Sequence, residues 1–219
     1  MFAQGIVVDP SSAGTFDGST ATVNLGRANE LLVASLHGKY FEQCYRGNVY
    51  YASTTTAGVV LKIASTLTPT YSIWNPAGSG KLLVPLQTLI GWTAITAALG
   101  SLVWTATTNA GDVISTTAPF VAFGTGTPLN ANLGSGKVSQ MRVATGGTTT
   151  IVAAATFYRG TGICLAPTTA ATTTAPWWTA RDDWDGGSVI GPGNAIHLMA
   201  STAVLVQATV TFVYAEIPL

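Results

Sequence analysis

A chain of 219 residues, 47% of them hydrophobic, is long and apolar enough to bury the core of one domain. Only 8% of its residues are charged and its formal net charge is zero, against about 25% charged residues in an average globular domain. Such a chain has no long-range field to hold nucleic acid or an anionic membrane, which argues against genome packaging and against both partners.

Residues 1–20 are rich in Gly and Ser with an Asp-Pro step, and they read as an N-terminal arm that does not fold alone. Residues 21–219 read as one β-sandwich domain. The start, MFAQGIVVDPSSAG, has no basic stretch and no long apolar run, so no secretory signal is expected. No window approaches the ~18 continuous apolar residues of a transmembrane helix. In NELLVASLHGKYFEQCYRG, Leu32, Leu36 and Tyr40 recur four apart, with Asn29 as an N-cap and Gly47 as a stop. The spacing predicts a short helix near 29–37, because Gly38 weakens its continuation by about 1 kcal/mol relative to Ala.

From there the chain alternates β-branched and aromatic runs with Gly, Pro, Asn and Ser punctuation. Strands are expected at 59–63, 68–74, 82–92, 101–107, 148–157, 195–199 and 203–214. In the last, Val204, Val206, Ala208, Val210, Phe212 and Tyr214 share one face, with Gln207, Thr209 and Thr211 on the other. The Thr/Ala-rich stretch 166–176 reads as a surface loop or an extended edge. Many short strands within one domain predict a single antiparallel sandwich of jelly-roll type. A folded surface with so few charges is prone to associate, and association is its expected state.

The stretch SIWNPAGSGKLLV contains Gly-Ser-Gly-Lys, the centre of many phosphate loops. A phosphate loop needs a Gly five residues before its Gly-Lys and a Ser or Thr after it, between a strand and a helix. Here those two positions hold Asn75 and Leu82, and a strand with Pro85 follows. The stretch reads instead as a hairpin turn with Lys81 facing solvent.

Three of the nine acids fall in RDDWDGG: Asp182, Asp183 and Asp185. Clustered carboxylates are a candidate calcium set, although the spacing is not that of an EF-hand loop. The plainer expectation is a solvated turn in which Arg181 pairs locally. Trp177, Trp178 and Trp184 beside these acids are candidates for a glycan or receptor contact. Buried aromatics in a core or a subunit contact are the commoner case. His37 and His197 have no nucleophile motif nearby. Glu30, Glu42, Asp112 and Glu216 are isolated, which leaves little material for a glycosidase pair. Cys44 and Cys164 have no metal-ligand spacing and read as buried thiols. No catalytic residues, metal or cofactor are expected.

Four blocks carry a resemblance when taken together: LHGKYFEQCYRGNVYYAST (36–54), TPTYSIWNPAGSGKLLVPLQ (68–87), WTARDDWDGGSVIGPGNAIHLMA (178–200) and VTFVYAEIPL (210–219). In this order they resemble structural proteins of tailed-bacteriophage virions, of the uncharacterised jelly-roll or TNF-like type. The resemblance implies a capsid decoration, head-fibre or spike subunit, often a homotrimer, in contact with other virion proteins and assembled in the host cytoplasm. It implies no catalytic residues. A receptor-binding module of a tail fibre and a small jelly-roll coat protein are the alternatives. The lack of a basic arm weighs against the coat protein.

Overall fold

The computed structural model describes residues 38–66, 68–95, 100–108, 128–145, 156–165, 179–202 and 206–219. Among these residues a five-residue helix, α1 (Phe41–Tyr45), precedes eleven strands: β1 (Val49–Ser53), β2 (Val59–Val60), β3 (Tyr71–Asn75), β4 (Lys81–Ile95), β5 (Gly100–Thr107), β6 (Leu129–Asn130), β7 (Arg142–Thr145), β8 (Thr156–Leu165), β9 (Thr179–Asp183), β10 (Asn194–Ala200) and β11 (Val206–Pro218). They form two antiparallel sheets, ordered β6-β1-β11-β4-β9, with β2 also on β11, and β7-β3-β10-β5-β8. The pairings are nested: β1 with β11, β3 with β10, β4 with β9, β5 with β8. This nesting of first with last, second with next-to-last, is the jelly-roll order expected from the sequence.

The core lies between the sheets. As its alternation predicts, β11 turns Ala208, Val210, Phe212 and Tyr214 inward, all fully buried. They meet Tyr71 and Ile73 of β3, Trp104 of β5 and Ile196 and Leu198 of β10. The register of β11 against β4 shifts between Val213 and Tyr214, opposite Pro85 and Gln87. A strand tolerates proline at such a bulge, because the ladder is already broken there. Leu86 O accepts the N–H groups of Trp184 and Asp185, both at 3.0 Å. A second apolar cluster lies on the outer side of the first sheet. Val49, Val84, Leu86, Val213 and Ala215 are covered there by Tyr40 and Cys44.

Several expectations change. The helix expected at 29–37 falls outside the described residues, as do the arm 1–20, most of the strand 148–157 and the loop 166–176. The described helix, α1, lies just C-terminal to the expected one. The Gly-Ser-Gly-Lys stretch is no hairpin: β3 and β4 lie in different sheets, so residues 76–80 carry the chain across the sandwich. Gly78 and Gly80 take left-handed φ of 78° and 65° to make the crossing. Asn75 anchors it, donating from Nδ2 to Lys81 O and Ile190 O. Lys81 is half-buried, not fully solvated. Arg181, Asp182 and Asp183 belong to strand β9, and the turn begins only at Asp185. Strands β1, β6, β7 and β9 are not among those the sequence predicts, and β8 overlaps its predicted run only at Thr156 and Phe157. No helix among the described residues is long and apolar enough to cross a membrane.

Candidate functional site

Strand alternation separates the three aspartates. Asp182 points inward on β9 and is 4% exposed. Its Oδ2 accepts the indole N–H of Trp104 at 2.9 Å, and its Oδ1 meets Arg159 Nη2 at 2.7 Å. Burial raises its pKa, opposed by Trp104 and Arg159. Asp183 points outward, where Arg181 and Gln87 hold its carboxyl below the usual range. Asp185 sits in the turn at φ 50°, held by Lys39 and by the Tyr40 hydroxyl. Lys39 and then Tyr40 lower its pKa. The carboxylates end on three different sets of partners. Among the described residues no three His, Cys, Asp or Glu side chains could hold a metal ion.

Trp184 is 4% exposed and packs edge-on against Trp104, 5.1 Å between centroids. Arg159 lies over its ring at 4.2 Å. A buried ring has no face for a sugar, so Trp184 takes the commoner of its two readings, a core anchor. Trp177 and Trp178 lie outside the described residues.

His197 is the polar centre of the second sheet. One ring nitrogen, Nδ1, shares a hydrogen bond with Ser72 Oγ at 2.8 Å; the other, Nε2, shares one with Thr107 Oγ1 at 2.9 Å. Burial lowers its pKa to about 4, so the ring is neutral at pH 7. A serine beside a histidine suggests nucleophilic catalysis. Here Ser72 is 1% exposed and His197 is fully buried. A substrate carbonyl has no access to the pair, and Thr107 occupies the place of an orienting acid. The trio fastens β3, β10 and β5 side by side. No sequence signal marked Ser72 or Thr107, since they lie 125 and 90 residues from the histidine.

Glu216 is also buried. Ser139 donates its hydroxyl to Oε1, and the Gln140 N–H donates to the same oxygen at 3.0 Å. Burial raises its pKa, with Ser139 and Gln140 opposing. Ser139 also shares a hydrogen bond with the buried Tyr214 hydroxyl at 2.8 Å. Glu42 lies on the surface, paired with Arg46. The two glutamates therefore serve different partners. Glu30, Asp112 and His37 lie outside the described residues. Cys44 is a half-buried free thiol whose pKa burial pushes up; the Cys164 side chain is not among the described ones.

A cleft of about 270 Å³ opens between β6 and the loop after it, walled by Leu129, Leu133 and Val138. Ligand pockets usually run from about 300 to 1,000 Å³ and present a few free polar groups. The polar groups here are already engaged. Asn130 donates to Gly47 O and accepts the Asn132 N–H, while Lys137 Nζ donates to Arg46 O at 2.6 Å. The cleft has shape without recognition chemistry.

No protein family, curated protein or solved structure matches the chain. Each buried ionisable side chain described above is tied to neighbours in its own fold, Asp182 and Glu216 between the sheets and His197 on the outer face of the second sheet. Outside, large apolar side chains stand in solvent: Leu133 is 85% exposed, Phe157 64%, Val138 63% and Leu129 62%.

Proposed function

We propose that this protein is a structural subunit of a bacteriophage particle, a capsid decoration or head-fibre protein that works by symmetric self-association and carries out no chemistry. The contrast between inside and outside supports it. Asp182, Glu216 and His197 spend their polar groups on fold partners, whereas Leu129, Leu133, Val138 and Phe157 are left for contact. Exposed apolar side chains gathered in one place, as Leu129, Leu133 and Val138 are around the cleft, mark a contact surface, and few charges oppose such contacts. The partners are further copies of the chain and neighbouring virion proteins.

Light scattering on the purified chain and mass spectrometry of purified particles test this. The expected results are a symmetric oligomer at micromolar concentration and the chain among the particle proteins. A monomer at every concentration, together with absence from particles, would overturn the reading.

A further inference from the structure

The sequence contains two Asp-Gly steps, Asp17–Gly18 and Asp185–Gly186. At such a step the backbone nitrogen of the glycine can attack the aspartate side chain, because glycine has no Cβ to hinder it. The N–Cγ bond forms and one water leaves, made from the carboxyl hydroxyl and the amide proton. Water then opens the five-membered imide. Attack at the side-chain carbonyl returns aspartate. Attack at the other carbonyl leaves the main chain running through Cβ, as isoaspartate. The reaction needs only a free amide, a neutral carboxyl and room to close.

The turn after β9 is built on this step. Asp185 and Gly186 both take a left-handed φ, 50° and 76°. Glycine adopts such an angle without strain, and Asp and Asn tolerate it best among the other residues. Asparagine at the first position would close the same ring faster, with ammonia as the leaving group. The Asp185 side chain is half-exposed, so water reaches it. An extra main-chain atom here would disturb the turn that holds the buried Trp184.

Each requirement for closure meets a restraint. The Gly186 N–H donates to Pro85 O at 3.0 Å, and the Asp185 N–H donates to Leu86 O at the same distance. The attacking nitrogen is thereby tied to β4. The carboxylate is held by Lys39 Nζ and by the Tyr40 hydroxyl, the latter at 2.6 Å. Both donors favour the ionised carboxyl and lower its pKa, and an ionised carboxyl is a poor target for attack. Tyr40 is itself fixed, because it packs on the outer apolar cluster of the first sheet.

We propose that Asp185–Gly186 is a latent isomerisation site, kept shut by Lys39 and Tyr40 on the carboxylate and by Pro85 O on the attacking nitrogen. Isoaspartate forms there only when this clasp opens. The inference stands apart from the self-association reading, and either can fail without the other.

Ageing of the purified full chain tests it, folded and in guanidinium, with isoaspartate at each Asp-Gly step read by peptide mass spectrometry. In denaturant the Asp17 and Asp185 steps should isomerise at similar rates, in wild type and variants alike. In the folded wild type Asp185 should isomerise at least about tenfold more slowly than in denaturant, since closure proceeds only from the locally opened turn. Tyr40→Phe and Lys39→Met should each raise the folded rate about twofold to fivefold and leave the denatured rate unchanged. Tyr40→Phe keeps the packed ring, and near-ultraviolet dichroism checks that each variant is folded. A folded wild type that isomerises at Asp185 as fast as the denatured chain overturns the proposal. A slow wild type whose rate neither variant raises overturns it as well, because the protection then lies in the backbone alone.

Discussion

Arg159 of β8 and Asp182 of β9 join the two sheets along one side of the sandwich, Nη2 to Oδ1 at 2.7 Å. The carboxylate is buried and the guanidinium is only partly exposed, so this pair differs from the surface pairs Arg46–Glu42 and Arg181–Asp183. Removing the cation leaves a buried charge with one indole donor. Arg159→Met keeps an apolar stem over Trp184 and should cost about 3 kcal/mol. The double variant with Asp182→Asn should recover part of that loss. Without Arg159 the Asp182 pKa rises further, so the cost in urea unfolding should be larger at neutral than at acid pH. Equal costs at both would show that the pair contributes packing alone.

This joint also marks where the sequence stops being informative. The inward face of β11 was legible because Ala208, Val210, Phe212 and Tyr214 alternate with polar residues, and period two is a local signal. The sandwich class followed from many such runs. β9 was not legible: Arg181, Asp182 and Asp183 in a row read as a solvated turn. Asp182 is stable inside only because Trp104 and Arg159, 78 and 23 residues away, supply its donors. The Ser72–His197–Thr107 trio likewise exists only once the nested pairing sets β3, β10 and β5 side by side. The crossing at residues 76–80 looked like a hairpin because turn chemistry does not specify which sheet the next strand joins.

His197 should make the fold acid-sensitive. Its pKa is about 4 in the folded chain, against an ordinary 6.5. Below pH 6.5 the unfolded chain takes up a proton that the folded chain refuses until about pH 4. Its contribution is therefore complete above the ordinary value and lost as pH falls through the folded one, a change on the order of 3 kcal/mol. Asp182 and Glu216 act in the opposite sense. Burial raises both, so their contribution is present in acid and lost as pH rises through their folded values. His197→Gln separates the two effects. The stability difference between wild type and variant should shrink from neutral pH to about pH 4. A constant difference would rule out a proton-linked role.

Gly58 and Gly78 share a left-handed φ, 76° and 78°, but not their surroundings. A Cβ on Gly58 would stand 2.7 Å from Thr93 Oγ1 and 3.0 Å from the Ala208 backbone, whereas one on Gly78 meets nothing within 4 Å. Gly78→Ala should cost about 1 kcal/mol, the backbone strain alone. Gly58→Ala should cost roughly 2 kcal/mol or more, because β11 cannot move without disturbing the core. Thermal unfolding of the two variants measures the difference. A Gly58→Ala melt no lower than that of Gly78→Ala would mean that the β2–β11 contact yields easily.

Ser139 holds two buried groups at once, the Glu216 carboxylate and the Tyr214 hydroxyl. Its loop is tied to the C-terminal strand through them. Ser139→Ala removes both bonds and the one its hydroxyl accepts from the Met141 N–H, and leaves Glu216 with backbone N–H donors, so it should cost about 1–3 kcal/mol at neutral pH. The lost hydroxyl was one of the groups lowering the Glu216 pKa, so that pKa should rise further. A carboxyl whose folded pKa lies above its unfolded one loses stability as pH rises through the folded value. The cost of Ser139→Ala should therefore be greatest at neutral pH and shrink in acid, where Glu216 is protonated with or without the serine. Urea unfolding at both conditions, with a carboxyl NMR titration of Glu216, reads both consequences. Ser139→Thr, which keeps the hydroxyl, should restore most of the loss. If the cost is the same in acid and at neutral pH and the Glu216 titration does not move, Ser139 serves Tyr214 and the loop backbone, and the carboxylate is held by backbone N–H groups alone.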